Sequence, residues 1–107
     1  MGTASQRKGR AGELELAKEL QRLGYNVHAG KPRSYGSEPD LTGLPGVHIE
    51  VKRVERLNVP EAMAQAARDS ERFHDGAPAV FHRRSREPWL VTMRLTDWLK
   101  LYDGLRR

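Results

Sequence analysis

Three residues in the middle of the chain are of the types that could hold a metal ion against a phosphate. Glu50 and Lys52 stand two positions apart in VHIEVKR, residues 47–53, whose alternation of apolar and polar residues predicts a strand. Side chains two apart in a strand share a face. Asp40 precedes Glu50 by ten residues, across a Pro-Gly turn. Two carboxylates about 5 Å apart repel each other unless a cation lies between them, and Asp with Glu oxygens suits a hard ion such as Mg²⁺.

The register of the predicted hairpin decides whether Asp40 joins this pair. If the turn spans residues 44–46, Asp40 falls opposite Glu50, whereas a turn one residue shorter moves Asp40 to the other face. In the first arrangement a Mg²⁺ ion would polarise a phosphate, and the Lys52 ammonium would orient a water molecule or neutralise developing charge. In the alternative, Glu50 and Lys52 form an ordinary solvated strand face.

A third acidic residue, Glu13, lies on the apolar stripe of a predicted helix. The stripe follows helical offsets and consists of Glu13, Leu16, Ala17, Leu20 and Leu23. Carboxylates are rarely placed on a face that points into the core unless they have a partner there. We therefore expect Glu13 to point inward, the alternative being a residue favoured only by the helix dipole.

The remaining segments predict the elements that would position these residues. We expect a helix from about Gly9 to Leu23 that ends at Gly24, and a second, alanine-lined helix that starts near Asn58 and Pro60. A third helix is expected over residues 96–104, with Thr96 as N-cap and Gly104 as C-cap. Strands are predicted at residues 25–29, 40–44, 47–54, 78–84 and 89–93. The order α-β-β-β-α-β-β-α predicts an α/β domain with a mixed central sheet flanked by helices.

The length and composition fit one small domain. The 107 residues, 37% of them apolar, suffice for a single modest core, so we expect one domain over residues 1–107, with residues 1–7 flexible. The chain has no cysteine, which excludes disulfides and thiolate zinc sites. No apolar run approaches the ~18 residues of a membrane span and no signal peptide opens the sequence. We therefore expect a cytoplasmic protein with no membrane partner.

The charge favours nucleic acid as the partner. Nineteen Lys and Arg against fourteen Asp and Glu give +5, and fourteen of the nineteen are Arg. The planar guanidinium matches phosphate oxygens better than an ammonium does. Arg83 and Arg84, in the HRRSR run, would form a phosphate clamp, or else only a solvated turn. A soluble basic domain without a nucleic-acid partner is the alternative.

The histidines and tryptophans give weaker signals. Residues 28, 48, 74 and 82 are histidines without metal-binding spacing. His48 shares a strand face with Glu50 and Lys52 and is a candidate DNA contact. Trp89 and Trp98 fit a core or a dimer interface better than a platform for stacked bases.

Taken together, these residues resemble the PD-(D/E)xK nuclease superfamily, and within it the archaeal-type Holliday junction resolvases and their phage relatives. The resemblance covers nearly the whole chain. Its matching segments, in the family's order, are Lys8-Gly9 with Glu13, then RSYGSEPDL, IEVKR, a helix carrying Gln65, PAVFHRR and PWLVTM. The resemblance implies a restriction-endonuclease-like fold with an α-β-β-β-α-β core.

The resemblance also implies roles for individual residues. Asp40 and Glu50 match the family's metal ligands, and Glu13 matches an active-site position that we expect to be a third ligand. Lys52 matches the catalytic lysine, and Gln65 matches a residue that supports the site. The family's active-site serine corresponds to Ser34 or Ser37. The expected phosphate and DNA contacts around the site are Lys8, Arg10, Arg33, Ser34 and Arg53.

We therefore expect a Mg²⁺-dependent endonuclease, with Mn²⁺ able to substitute, that cuts branched DNA, in particular four-way (Holliday) junctions. Bacterial or phage origin fits this activity. Two incisions in opposing strands need two active sites, whereas a domain of this size has one, so a C2 homodimer is expected. The alternatives are a flap, repair or general nuclease of the same superfamily, and a DNA-binding protein that keeps the fold without cleavage.

Overall fold

Alternating strands and amphipathic helices give the element order that the sequence predicts. The computed structural model describes residues 4–31 and 38–106, and the side chains from residue 9 onward. The described residues form three helices, which are α1 (Ala4–Arg22), α2 (Val59–Phe73) and α3 (Leu95–Leu105). They also form five strands, which are β1 (His28–Ala29), β2 (Leu41–Thr42), β3 (Val47–Arg53), β4 (Ala77–Arg83) and β5 (Leu90–Met93). The α/β class, the single domain and the mixed sheet are confirmed.

The five strands form one sheet in the order β1-β2-β3-β4-β5. β3 and β4 pair in parallel, joined by α2, and the other neighbours are antiparallel. Alternate residues of β3 and β4 face opposite sides of the sheet. On one side the core contains residues of α1, with Leu16, Ala17, Ile49, Val51, Ala79 and Phe81 among its members. On the other side Ala62 and Ala66 of α2 pack on Val80, so the predicted alanine-lined face does lie on the sheet.

The hairpin between β2 and β3 adopts the register that brings the acids together. Leu41 pairs with Ile49, which places Asp40 opposite Glu50. The turn closes with a 3.0 Å hydrogen bond from Val47 N to the carbonyl oxygen of Leu44. Gly43 just before it has φ of +126°, and a Cβ there would lie 2.2 Å from the carbonyl oxygen of Asn26. Glycine at this position therefore lets the hairpin pass close to the chain that leaves α1.

The ends of several elements differ from the sequence prediction. α1 begins at Ala4, before the predicted Gly9, and α3 begins at Leu95. Arg94, not Thr96, is the N-cap residue of α3, since Asp97 N and Trp98 N both donate to the carbonyl oxygen of Arg94. Gly104 lies inside α3 and is not its cap.

The first strand is also shorter than the predicted residues 25–29. Tyr25 N donates to the carbonyl oxygen of Leu20 at 2.9 Å, and Gly24 N donates to that of Gln21 at 3.0 Å. These bonds complete the C-terminal cap of α1, so Tyr25 N is not free for the sheet. The predicted cap at Gly24 and the predicted helix start near Asn58 are confirmed: Gly24 has φ of +100°, and Asn58 is the N-cap residue of α2, since Glu61 N donates to Asn58 Oδ1.

None of the helices described is both long and apolar enough to cross a membrane.

α1 passes close to β3 at Gly12, which is buried. A Cβ at Gly12 would lie 2.7 Å from Cβ of Arg53, whereas a Cβ at Gly9 meets no described atom within 4 Å. Gly12→Ala should lower the free energy of unfolding, because overpacking costs about 1–3 kcal/mol. Gly9→Ala should raise it by roughly 0.5–1 kcal/mol, the usual gain of alanine within a helix. Urea unfolding of both variants tests this, and equal stabilisation by both would contradict the close approach.

Candidate functional site

The five residues predicted to form a site do converge beside the middle of β3. Lys52 Nζ donates to Gln65 Oε1 at 2.8 Å, and Gln65 Nε2 donates to Glu50 Oε2 at 3.2 Å. Lys52 Nζ lies 3.9 Å from the same Glu50 oxygen. Gln65 thus bridges an acid and a base on β3 from the facing helix α2. Its side chain holds both groups in place, and the Glu50 side chain is only 5% exposed while that of Lys52 is 28% exposed.

Asp40 directly precedes β2 and lies beside β3 across the hairpin. Its Oδ2 accepts a 2.9 Å hydrogen bond from Val51 N, which orients the carboxyl group toward β3. Burial raises the pKa of Asp40 to about 8, with the negative charges of Glu50 and Glu13 adding to the shift and the Val51 bond opposing it. A carboxyl group in this state keeps its proton near neutral pH unless a cation replaces it.

Glu13 points inward, as the helical stripe predicts. Its side chain is 14% exposed, and its Oε1 lies 3.8 Å from a guanidinium nitrogen of Arg10. Burial raises the pKa of Glu13, the Arg10 charge lowers it, and Glu50 raises it again. The negative charge of Glu50 acts on both Glu13 and Asp40, so α1, β3 and the residue just before β2 each contribute one acid to this region.

The donor set of this cluster fits a hard divalent cation. Three carboxyl groups lie near one lysine, and two of them have raised pKa values because burial disfavours their charged forms, with the charge of Glu50 adding to both shifts. Carboxylate oxygens from separate chain segments are the ligands that Mg²⁺ and Mn²⁺ accept. Asp40, Glu50 and Glu13 are the residues that could hold such an ion, although their ligand atoms do not all lie within 4.8 Å of one another, so side-chain rotations would be needed to bring them onto one ion.

A second group of side chains in the same region has no counterpart in the sequence prediction. His48, which we considered as a DNA contact, is 1% exposed, so that hypothesis is wrong. Its Nδ1 lies 2.8 and 2.9 Å from the two carboxylate oxygens of Asp75, and its ring stacks on Phe73. Its Nε2 lies 3.6 Å from Glu50 Oε1. Ligand atoms of His48, Glu50 and Asp69 all lie within 4.8 Å of one another.

Only part of this second group of side chains can be predicted from the sequence. The alternation of β3 places His48 on the face of Glu50. Asp75 reaches His48 because α2 ends in a left-handed residue, His74, with φ of 50°, and because β4 then pairs in parallel with β3. A parallel pairing between segments so far apart is not visible in local periodicity.

The residues expected to contact DNA are dispersed. Arg33 and Ser34, together with Ser37, lie outside the described residues, and for Lys8 only the backbone, within α1, is described. Arg10 donates to the carbonyl oxygen of Gly30 as well as facing Glu13. Arg84 is exposed.

Two other expected contacts, Arg53 and Arg83, are engaged within the protein. Arg53 Nε donates to both oxygens of Glu15 at 3.2 Å, and Arg83 donates to Glu15 Oε1 at 2.5 Å. Arg83 also donates to the carbonyl oxygen of Glu87 at 2.6 Å. This ion-pair network joins α1, β3 and β4 on the α1 side of the sheet. A phosphate would have to compete with Glu15 for these two guanidinium groups.

No protein-family model matches the sequence, and no curated protein matches it significantly.

The protonated state of Asp40 predicts a pH dependence of stability. Its pKa is about 8 in the folded chain against an ordinary value of 3.8, so folding takes up a proton between these values. The free energy of unfolding of metal-free protein should therefore fall as pH rises from about 4 to about 8. Asp40→Asn removes this contribution and should flatten the curve. Urea unfolding in EDTA across this range measures the difference, and parallel curves for the two proteins would contradict a raised pKa at Asp40.

Proposed function

We propose that this protein is a metal-dependent, structure-selective DNA endonuclease that resolves four-way junctions by phosphodiester hydrolysis inside the cell. The observation that carries the proposal is the convergence of Glu13, Asp40 and Glu50 with Lys52. Three acids and a lysine from three segments meet beside one mixed sheet, in the arrangement that the resemblance to PD-(D/E)xK nucleases implies. On this proposal the α/β fold is restriction-endonuclease-like.

The chain's own groups supply most of what hydrolysis needs. When bound, Mg²⁺ held by the three acids would supply positive charge against the phosphate. Lys52 is partly open to solvent and is positioned by Gln65 and Glu50. Its ammonium can donate to an attacking water molecule or to a phosphate oxygen on which charge develops. Gln65 is a positioning residue, because it fixes Lys52 relative to Glu50 and contacts both.

A cleft next to Lys52 offers room for a phosphate backbone. It has a volume of about 160 Å³, and its lining includes Lys52, Gln65, Arg56 and Asn58. Arg56 is exposed there. The lining also contains the acid Glu61, but two cations, Lys52 and Arg56, outnumber it and favour an anionic ligand, since each can neutralise a phosphate. The cleft lies on the α2 side of the sheet, away from the Arg53–Glu15–Arg83 network, so Arg56 joins the proposed phosphate contacts.

Cutting both strands of a junction requires a second site, and α3 provides a surface for a second copy of the chain. Contacts between α3 and the rest of the described residues are sparse. One stripe of α3 exposes large apolar side chains, which are Leu95, Trp98, Leu99, Tyr102 and Leu105. Trp98 and Tyr102 stack with their ring centroids 5.4 Å apart. Such a stripe is suited to burial against its own symmetry copy in a C2 dimer.

The proposed activity predicts separate effects on cleavage and binding. Asp40→Asn and Glu50→Gln keep side-chain shape but remove ligand charge, so both should abolish Mg²⁺-dependent cleavage of a labelled four-way junction. Junction binding should persist or tighten slightly, because a negative charge near phosphate is lost. Cleavage gels and gel-shift titrations with junction, flap and linear duplex, in Mg²⁺ or EDTA, measure both properties.

Glu71→Gln is the matched control, since Glu71 is an exposed acid of α2 and should cut like wild type. Wild-type cleavage by both Asp40→Asn and Glu50→Gln would rule out the proposed site. Equal cutting of flap or duplex would favour the general or repair nuclease. Binding without any cleavage by the wild type would favour the DNA-binding protein.

The dimer proposal predicts that charge on α3 dissociates the protein. Wild-type protein should sediment at twice the mass of one chain, and Leu95→Glu combined with Leu105→Glu should shift it to monomer, because these side chains are 70% and 84% exposed in one chain. Leu14→Glu is the control, since Leu14 is a half-exposed leucine of α1. Analytical ultracentrifugation measures the mass. A wild-type monomer, or a dimer unaffected by the double change, would contradict this surface.

A further inference from the structure

His48 has a buried nitrogen that nothing in the described part of the chain satisfies. Its side chain is 1% exposed, and Nε2 has no hydrogen-bond partner among the described residues. A buried polar atom without a partner costs about 1–3 kcal/mol, so such atoms are rare unless they have a role. Nε2 is directed toward Glu50 Oε1, 3.6 Å away, beside Asp69.

The other ring nitrogen determines what Nε2 can do. Nδ1 lies within 2.9 Å of both oxygens of Asp75, which can only accept, so Nδ1 carries the proton and donates it. Nε2 then carries either a proton directed toward Glu50 or a lone pair. The 3.6 Å between Nε2 and Glu50 Oε1 is too long for a hydrogen bond, and a lone pair facing two carboxyl groups is repulsive unless a metal cation lies among the three groups. A histidine that donates one nitrogen to a carboxylate and offers the other to a metal is the usual arrangement at protein metal sites.

We propose that His48 Nε2, Glu50 Oε1 and Asp69 bind a divalent transition-metal ion. One nitrogen with two carboxylates is a donor set that Zn²⁺ or Mn²⁺ accepts, whereas Mg²⁺ and Ca²⁺ prefer oxygen ligands alone. The three ligand atoms lie within 4.8 Å of one another, and ligands around one Zn²⁺ lie about 3 to 4 Å apart because each is roughly 2.0–2.2 Å from the ion. Small side-chain rotations would complete the site.

This site is distinct from the one proposed for catalysis, although both include Glu50. Oε2 of Glu50 faces Gln65 and Lys52, whereas Oε1 faces His48. The two oxygens therefore point at two different groups of ligands. Asp69 and Asp75 belong to α2 and the segment after it, so an ion here would join the start of β3 to that helix. Binding of an ion here would not require nuclease activity.

Metal binding without DNA tests the proposal. Titration of chelator-treated protein with ZnCl₂ should raise the melting temperature, because the ion binds the folded chain. Asp69→Asn, on a half-buried position of α2, should lose that increase while its metal-free melting temperature stays at or above wild type. Asp75→Asn should weaken Zn²⁺ binding by about 10- to 100-fold in calorimetry, since it alters only the residue that orients His48. Glu71→Gln should match wild type.

Asp40→Asn separates this site from the catalytic one. It should keep the Zn²⁺-induced rise in melting temperature and the Zn²⁺-induced change in the ¹⁵N chemical shift of His48 Nε2. If the rise is lost in Asp40→Asn and kept in Asp69→Asn, the ion binds the other acids and the proposal is wrong. If ¹⁵N spectra show both His48 nitrogens protonated and unchanged by Zn²⁺, a proton takes the place of the metal and the proposal is also wrong. Neither result would bear on DNA cleavage.

Discussion

The structure is organised around a carboxyl group that is costly to bury. Glu50 lies in the middle of β3 and is 4% exposed. An isolated buried carboxylate is strongly unfavourable, so every element that contacts it must offer a donor, a positive charge or a shared proton. α2 offers the Gln65 amide, β3 itself offers Lys52, and the hairpin offers Asp40 in a form that keeps its proton. These groups thus provide the hydrogen bonds and charge stabilisation that water would give to an exposed Glu50.

This arrangement is only partly satisfied by the protein alone. Asp40, Glu13 and Asp69 all have raised pKa values, with burial as the largest cause in each case and Glu50 adding to it. A fold optimised for stability alone would replace several of these acids with apolar side chains of similar size. Retention of the acids fits a cation that binds the folded chain and restores the free energy that burial of these carboxyl groups costs. Stability and the proposed chemistry are therefore coupled through the same carboxyl groups.

Much of the site follows from local sequence pattern, and the rest depends on long-range pairing. The period of two in β3 fixes the shared face of Glu50 and Lys52. The Pro-Gly turn predicts the hairpin but leaves its register open, and only the observed pairing of Leu41 with Ile49 adds Asp40 to that face. The helical stripe of α1 fixes the direction of Glu13. By contrast, the approach of Asp75 to His48 depends on the parallel β3–β4 pairing and on the left-handed His74. The Glu15 network joins residues 38 and 68 positions apart, and composition shows only that the charges exist.

The Arg53–Glu15–Arg83 ion pairs affect which of the positive charges of the chain can bind DNA. The +5 of the chain suggests a broad basic surface. However, Arg53 and Arg83 are neutralised by Glu15 on the α1 side of the sheet, whereas Lys52 and Arg56 line the cleft on the α2 side. A pair already formed in the protein gains little from exchanging one anion for another, because breaking it leaves Glu15 without a partner. The α2 side is therefore where the proposed phosphate contact requires the least rearrangement, and it is also the side on which Gln65 holds Lys52 beside Glu50.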